Sequence, residues 1–313
     1  MDALVYKSTG SWYQVKDETG KQFNARILGK FKMDGFTSTN PIAVGDRVVI
    51  GSDTESRENN SEISFIIKEI KKRKNYITRI SPANKHQHHI IASNVDQSLL
   101  FATLKDPKTS QGFIDRFLIT CEAYHIPAII VFNKSDLYRK KEEEKFATVK
   151  AIYESIGYKV ISMSIEKGDG VEAVKSLLKE KVTLLSGHSG VGKSTFINTV
   201  FPMLKLRTQD VSGWSGKGLH TTTFAEMFDL PNSGKIIDTP GIRELGLVDI
   251  TKQELSHYFP EMRAIINDCQ FNNCMHLNEP GCAVKASVKN GTIHLDRYLS
   301  YCNILESIDD KNY

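Results

Sequence analysis

The order of two short motifs constrains this chain more than any other feature. The stretch Gly187-His188-Ser189-Gly190-Val191-Gly192-Lys193-Ser194-Thr195 has the glycine spacing, the lysine and the hydroxyl residues of a phosphate-binding P-loop. The stretch Asn133-Lys134-Ser135-Asp136 matches the motif by which G domains read guanine. That motif normally follows the P-loop, and here it precedes it. The reversed order indicates a circularly permuted G domain.

The P-loop stands in the context that its chemistry requires. The apolar run Val182–Ser186 predicts a buried strand before the loop, and 194–200 predicts a helix after it. Glycines let backbone N–H groups point at phosphate oxygens, and a helix N-terminus favours anions. Lys193 is expected to reach the β- and γ-phosphates, and the Ser194 hydroxyl is expected to ligate Mg²⁺.

The upstream motif predicts guanine as the base. An aspartate at position 136 can accept two hydrogen bonds, from guanine N1–H and from its exocyclic amine. Adenine cannot offer this pair, so ATP would leave a charge unpaired. Asn133 and the stem of Lys134 are expected to brace the loop and cover the base. Ser164 follows the apolar Val160-Ile161 and resembles the segment whose backbone N–H contacts guanine O6.

A third motif and the segment before it are expected to surround the γ-phosphate. Asp238-Thr239-Pro240-Gly241 follows Ile236-Ile237, which places Asp238 at a strand end where it can hold Mg²⁺ through water. The Gly241 N–H would contact the γ-phosphate. Residues 212–223 are rich in Gly and Ser, as in a mobile switch segment. Either Thr221 or Thr222 should complete the Mg²⁺ shell, and Thr222 is our candidate.

The residue that positions the attacking water is less clearly marked. Ile242 stands where Ras-like enzymes carry a glutamine that orients this water, so slow intrinsic hydrolysis is expected. His220, a polar ring in the predicted switch, is the candidate catalytic residue. Packing of His220 within its own loop is the alternative interpretation.

Four residues near the C-terminus predict a metal site. Cys269, Cys274, His276 and Cys282 have the spacing C-x4-C-x-H-x5-C. Three thiolates and one imidazole complete a tetrahedral shell for one structural Zn²⁺ per chain, with no open position for catalysis. Disulfides fit this pattern poorly, because nothing in the sequence indicates secretion.

The pattern of elements predicts a multidomain α/β protein. Five short β-runs in residues 1–72 predict an OB-type barrel that binds RNA. Residues 73–92 are predicted to be a linker. Strands and helices alternate through 93–248, which predicts a parallel sheet covered on both faces and assigns this range to the permuted G domain. Residues 249–313 are predicted to form a helical zinc-binding domain.

Charge is distributed unevenly along the chain. The chain has 41 Lys and Arg against 37 Asp and Glu, and its first 90 residues carry 15 basic and 10 acidic side chains. This excess predicts an RNA partner near the N-terminus, with a merely solvated face as the alternative. The same alternatives apply to Lys71-Lys72-Arg73-Lys74. Without an 18-residue apolar run or a signal pattern, we expect a cytoplasmic protein without membrane association.

In its predicted barrel, its permuted motif order and its metal motif, the chain resembles one family. This is the ribosome small-subunit-dependent GTPase A family, also called RsgA, YjeQ or EngC. The resemblance covers essentially the whole chain and includes Gly218-Leu219-His220-Thr221-Thr222, with Leu219 where a basic residue is frequent. It implies a GTPase that hydrolyses GTP to GDP and phosphate, with turnover stimulated by the 30S subunit. It also implies binding to that subunit and its 16S rRNA late in maturation. We expect a monomer.

Two other functions are weighed against this interpretation. A P-loop kinase or ATPase acting on a small metabolite would share the phosphate-binding loop, but Asn133 and Asp136 argue against it. An RNA-binding protein with a purely structural nucleotide site remains an alternative because of Ile242. Competition between ATP and GTP tests the first alternative, and GTP turnover with small subunits tests the second.

Overall fold

The computed structural model describes residues 1–10, 12–27, 41–52, 65–80, 88–204, 206, 225–238 and 250–308. The strands are β1 Asp2–Ser8, β2 Trp12–Asp17, β3 Gln22–Ile27, β4 Arg47–Ser52, β5 Phe65–Ile70, β6 Tyr76–Ile80, β7 His88–Ser93, β8 Gln97–Ala102, β9 Ala128–Phe132, β10 Lys159–Ser162, β11 Val182–Ser186, β12 Glu226–Asp229 and β13 Lys235–Asp238. The α-helices are α1 Gln111–Ala123, α2 Lys140–Ser155, α3 Val171–Leu177, α4 Lys193–Val200, α5 Pro260–Arg263, α6 Ala283–Lys289 and α7 Leu295–Ser307. Within these described ranges, no helix is both long enough and apolar enough to cross a membrane.

The first five strands close into a barrel. Strand β1 pairs with both β2 and β4, β3 joins β2 to β5, and β5 pairs back to β4. Alternate side chains point inward, and Val5, Val15 and Ile67 are fully buried at the centre. The predicted N-terminal barrel is confirmed.

The central sheet has the strand order β10-β9-β8-β11-β13-β12, with parallel pairing except between β12 and β13. All six residues of β8 are buried, because helices cover both faces. Leu100 packs on one face with α1 and α2, whereas its neighbour Leu99 packs on the other face with α3 and α4. The structure therefore confirms the predicted parallel sheet with two covered faces.

Residues 73–92, predicted as a linker, contain a β-hairpin. Strands β6 and β7 pair antiparallel, with Tyr76 opposite Ser93. Ile77 and Ala92 are fully buried in the core that α1 shares with the central sheet. Ala92 also forms a bridge to Val44 at the edge of the barrel. The hairpin is therefore a packed element between the barrel and the sheet.

A charged cluster joins the barrel to the central sheet where Lys7 of β1 pairs with Glu226 of β12. The Tyr6 hydroxyl donates to Asp229 Oδ1 at 2.5 Å, the Lys16 ammonium donates to Asp229 Oδ2 at 2.6 Å, and Lys235 also donates to this carboxylate. Partial burial opposes ionisation of Asp229, but these hydrogen bonds outweigh it and lower the pKa of Asp229 to about 2. The barrel thus continues the edge of the sheet.

The C-terminal helices pack against the outer side of α1. Arg297 of α7 is 1% exposed and lies between two carboxylates. Its guanidinium donates to Asp115 of α1, and its Nε donates to Glu261 of α5 at 2.7 Å. The Tyr153 hydroxyl also donates to Asp115, at 2.7 Å. A buried ion-pair network therefore fixes the C-terminal region to the central sheet's helices.

Replacing Arg297 with methionine should lower the free energy of unfolding by about 3–5 kcal/mol, because Asp115 and Glu261 would stay buried without their cation. Arg263→Met is the matched control. Arg263 is 49% exposed and pairs with Glu122 at 2.9 Å, so its loss should cost less than about 1 kcal/mol. Urea unfolding followed by circular dichroism measures both variants. Equal losses would contradict the assigned role of Arg297.

Candidate nucleotide-binding site and metal centre

The predicted nucleotide motifs meet at one edge of the central sheet. Strands β8, β9, β10, β11 and β13 run parallel, so their carboxyl ends share this edge. The segment 133–136 follows β9, Ser164 comes just after β10, and the P-loop follows β11. Asp238 is the last residue of β13. Ligands of open α/β sheets bind outside this edge.

A buried side chain joins the two reversed motifs directly. Asn133 is 2% exposed, and its Nδ2 donates to the Val191 carbonyl of the P-loop at 2.9 Å. The Asn133 backbone N–H donates to the Ala102 carbonyl at the end of β8, also at 2.9 Å. Val191 itself is fully buried in the core under α4. The two loops therefore form one structural unit.

Two P-loop glycines permit this close packing. Gly192 has φ +99°, and a Cβ there would lie 2.3 Å from Asn133 Nδ2. Gly187 has φ +132°, and a Cβ there would lie 2.3 Å from the Phe101 carbonyl oxygen. Both conformations favour glycine, and neither neighbouring atom leaves room for a methyl group. Gly192 is thus required by the contact between the two loops, and Gly187 by the contact between the P-loop and β8.

Lys193 lies across the mouth of the P-loop. Its ammonium donates to the Gly187 carbonyl at 2.7 Å and to the His188 carbonyl at 2.9 Å. Burial lowers the pKa of Lys193, and the nearby Asp238 carboxylate partly offsets this shift. A phosphate in the loop would offer this desolvated ammonium a charged acceptor in place of neutral carbonyls.

The Asp136 carboxylate is oriented by a side chain from the neighbouring loop. The Ser164 hydroxyl donates to Asp136 Oδ1 at 2.7 Å and accepts from the Lys167 N–H at 3.1 Å. The Ser135 N–H donates to the Met163 carbonyl at 3.1 Å. The sequence predicted a role for the Ser164 backbone, but no local pattern could reveal the bond from its hydroxyl.

The loop between β8 and α1 also reaches this edge, and no sequence pattern predicted it. The Lys134 ammonium donates to the Asp106 carbonyl at 2.5 Å, and Lys134 has φ +64°. The Phe113 ring in the first turn of α1 stacks on His188, with ring centroids 3.8 Å apart. Because β8 lies between β9 and β11, the loop after it contacts one motif and the helix that follows contacts the other.

Several predicted site residues lie on the same edge, and others lie outside the described residues. Ser194 and Thr195 occupy the first turn of α4. His220, Thr222, Gly241 and Ile242 belong to the ranges outside those that the structure describes.

The four predicted metal ligands come together in the C-terminal region. Their ligand atoms all lie within 4.8 Å of one another. His276 Nδ1 is 3.7 Å from Cys269 Sγ and 3.4 Å from Cys282 Sγ. A tetrahedral zinc ion, with bonds of about 2.3 Å to sulfur and about 2.0 Å to nitrogen, holds such atoms about 3.5 Å apart. The cluster therefore has a donor set and a size that could hold a metal such as zinc.

Helix α7 supports the loop that carries the histidine. The Tyr298 hydroxyl donates to the His276 carbonyl at 2.7 Å, and the Tyr301 hydroxyl donates to the Met275 carbonyl at 2.9 Å. Burial lowers the pKa of His276, which favours the neutral imidazole that a metal requires. The backbone N–H of Lys285 donates to Cys282 Sγ at 3.4 Å, so Cys282 also caps helix α6.

This fold and this site define a circularly permuted P-loop GTPase with an N-terminal barrel and a C-terminal Cys₃His cluster. Two family models match the chain: the RsgA GTPase model over residues 70–248 and the RsgA N-terminal domain model over residues 3–58. The chain belongs to the RsgA family of GTPases.

Similar proteins cover the chain almost completely. The small ribosomal subunit biogenesis GTPase RsgA of Flavobacterium psychrophilum is 50% identical, over 100% of this chain and 94% of the relative. The protein of the same name from Cytophaga hutchinsonii is 52% identical, over 97% of this chain and 98% of the relative. The crystal structure of YjeQ from Thermotoga maritima superposes with a TM-score of 0.76 at 32% identity, over 98% of this chain and 97% of the other. The crystal structure of YloQ, described as a circularly permuted GTPase, superposes with a TM-score of 0.74 at 30% identity, over 100% of this chain and 96% of the other.

Gly192→Ala should separate the two nucleotide loops, because its methyl group would displace the Asn133 amide. We expect at least about a tenfold loss of affinity for GDP, as for other lost buried hydrogen bonds to a binding loop. Gly157→Ala is the matched control, since Gly157 has φ +94° with no atom near its added Cβ. In this control, backbone strain should lower the free energy of unfolding by about 1–2 kcal/mol. Its affinity for GDP should be unchanged. Titration with a fluorescent GDP analogue compares the variants, and equal affinities would refute the assigned contact.

Proposed function

We propose that this protein binds GTP at the carboxyl edge of its central sheet and hydrolyses it to GDP and phosphate during biogenesis of the small ribosomal subunit. The observation that carries the proposal is the 2.9 Å hydrogen bond from Asn133 to Val191, which joins the loop of Asn133 and Asp136 to the P-loop. Membership of the RsgA family supplies the biological setting, because its relatives are named small ribosomal subunit biogenesis GTPases.

The residues of this edge divide into a base-reading group and a phosphate group. Asp136, held by Ser164, would accept from guanine, while Asn133 and the stem of Lys134 would support and cover the base. Lys193 would pair with the β- and γ-phosphates. The remaining phosphate contacts would come from the P-loop residues Gly187, His188, Ser189, Gly190, Val191, Gly192, Ser194 and Thr195, together with Gly241.

A Mg²⁺ ion bound with GTP would neutralise phosphate charge as the bond to the γ-phosphate breaks. Ser194 and Thr222 would hold it directly, and Asp238 would hold it through water. Ile242 cannot orient a water molecule, because its side chain has no polar atom. We therefore assign the positioning of the attacking water to His220 on sequence grounds.

The partner that fits the N-terminal region is the 30S subunit and its 16S rRNA. The excess of basic side chains in the first 90 residues supports an RNA-facing barrel. Subunit binding late in maturation would raise the rate of GTP turnover. Each proposed site is completed by residues of one chain, so a monomer suffices. Small-subunit assembly places this work in the cytoplasm.

We also propose one structural Zn²⁺ per chain at Cys269, Cys274, His276 and Cys282. The four ligands fill a tetrahedral shell, so the metal would stabilise the C-terminal region and leave the reaction to the central sheet. The hydrogen bonds from Tyr298 and Tyr301 of α7 support this assignment, because they hold the histidine loop from outside the cluster.

Turnover of GTP, measured as released phosphate with and without purified small subunits, tests the proposed activity. The subunits should raise turnover, and Lys193→Ala should abolish it. Asp136→Asn should weaken the preference for guanine, because an amide cannot accept both guanine N–H groups. His220→Ala should retain GTP binding but slow hydrolysis.

Two outcomes would support other functions. If ATP displaced GTP at equal concentration, a metabolite kinase or ATPase would be favoured. If small subunits left turnover unchanged while RNA still bound, the nucleotide site would be structural only.

Metal analysis of the purified protein tests the zinc site. We expect one zinc per chain by mass spectrometry, and Cys274→Ser should lower this content and the melting temperature of the C-terminal region. Cys302→Ser is the matched control, because Cys302 is a half-buried cysteine of α7 outside the cluster. Full zinc content in Cys274→Ser would contradict the ligand assignment.

A further inference from the structure

A groove of about 470 Å³ opens between the segment that leaves the barrel and the end of α1. The residues that line it include the consecutive basic residues 71–74, together with Tyr76, Tyr124 and His125. The nucleotide site does not use any of these residues. The groove is therefore a separate feature of the surface.

Helix α1 separates this groove from the nucleotide edge. Phe113 in the first turn of α1 contacts the P-loop residue His188, whereas Tyr124 follows the last turn. A helix of 13 residues spans about 20 Å at 1.5 Å per residue. The groove thus lies toward the opposite edge of the sheet, on the side of the barrel.

Three lysines of the groove are available to an anion. Lys72 is exposed and has no ion pair among the described residues. Lys71 pairs with Asp2, and Lys74 pairs with Asp96 at 3.1 Å, but each of these four side chains keeps at least 37% of its surface exposed. Exposed ion pairs of this kind contribute little, so a phosphate can replace the carboxylate.

Arg73 has a different role in the same segment. Its guanidinium donates to the fully buried Asp46 at 2.6–2.7 Å and to the Pro41 carbonyl at 2.6 Å. This buried ion pair anchors the segment to the barrel. The lysines on either side of Arg73 are thereby held at the rim of the groove.

An aromatic ring lines the same groove as these lysines. Tyr76 is 41% exposed, and its ring lies 5.3 Å from that of Tyr124 at an angle of 51°. Tyr124 is fixed by a 2.5 Å hydrogen bond between its hydroxyl and Thr78 Oγ1. A groove lined by an exposed ring and by lysines suits a nucleobase and its flanking phosphates, because bases stack on aromatic faces while the backbone pairs with cations.

We propose that this groove binds a single-stranded segment of RNA, with one base stacked on Tyr76 and neighbouring phosphates paired with Lys71, Lys72 and Lys74. The proposal deepens the proposed function, on which it rests for ribosomal RNA as the source of that segment. Binding itself requires neither GTP hydrolysis nor the metal cluster. An acidic protein segment would satisfy the lysines but would gain nothing from stacking on Tyr76.

The test uses the full chain saturated with GDP and a fluorescein-labelled oligouridylate of ten nucleotides, with affinity measured by anisotropy at several salt concentrations. Tyr76→Ala should weaken binding about tenfold, and Tyr76→Phe should retain it within about twofold. Lys72→Ala should reduce the slope of log affinity against log salt by about 0.7, the value for one phosphate of a single strand. Lys159→Ala, at an exposed lysine of β10, should change neither quantity.

Polyphosphate and polyglutamate serve as anions without bases, and Tyr76→Ala should leave their affinity unchanged. An equal loss for these polymers and for RNA would overturn the stacking assignment. Unchanged RNA affinity in both Tyr76→Ala and Lys72→Ala would overturn the proposal as a whole. Thermal unfolding of each variant separates a lost contact from a lost fold.

If the proposed function were wrong but the RNA groove were right, the two experiments would give different results. Small subunits would then fail to raise GTP turnover by the native chain, while the oligonucleotide still bound and the Tyr76 and Lys72 variants still weakened that binding.

Discussion

The buried amide of Asn133 is the contact on which the nucleotide edge depends. It donates to the Val191 carbonyl across 58 residues of sequence. Because the amide and carbonyl lie away from water, losing either would leave the other unpaired at a cost of about 1–3 kcal/mol. Gly192 must lack a side chain for the amide to approach. One hydrogen bond thus fixes the distance between the loop of Asn133 and the P-loop.

Helix α1 connects the other parts of the molecule. Phe113 in its first turn stacks on the P-loop residue His188, and Phe117 packs into the core of the central sheet. Asp115 holds the buried Arg297, and Ile119 joins the core of the C-terminal region. The same helix therefore touches the P-loop, the sheet and the helix whose tyrosines support the Cys₃His cluster. A displacement of α1 along its axis would disturb all three contacts, since tightly packed interiors transmit strain.

Sequence alone predicted the features that depend on local pattern. The strands Val182–Ser186 and Ala128–Phe132 are continuous apolar runs, and such runs predict buried strands. The motif residues of the loop after each strand are neighbours in sequence, so a local pattern reveals them. The hairpin of β6 and β7 was missed because its second strand begins in a histidine-rich segment without clear alternation. The bond between Arg297 and Asp115 joins residues 182 apart, and no periodicity encodes such a partner. The hydrogen bond from the Ser164 hydroxyl to Asp136 was missed for the same reason, although Ser164 itself was predicted as a site residue.

The reversed motif order also determines which strands of the nascent chain lack their sheet partners during translation. Strand β8 emerges long before its neighbour β11, with which it pairs in parallel, and the Ser98 hydroxyl of β8 later donates to the Leu184 carbonyl, 86 residues further on. Until that partner arrives, one side of a strand with six buried residues has unpaired N–H and C=O groups. Such an edge is a template for wrong pairing with another chain. A nascent chain that stalls before residue 182 would therefore have an apolar β8 with an unpaired edge, which favours aggregation. Synthesis of β11 provides the strand that pairs with this edge.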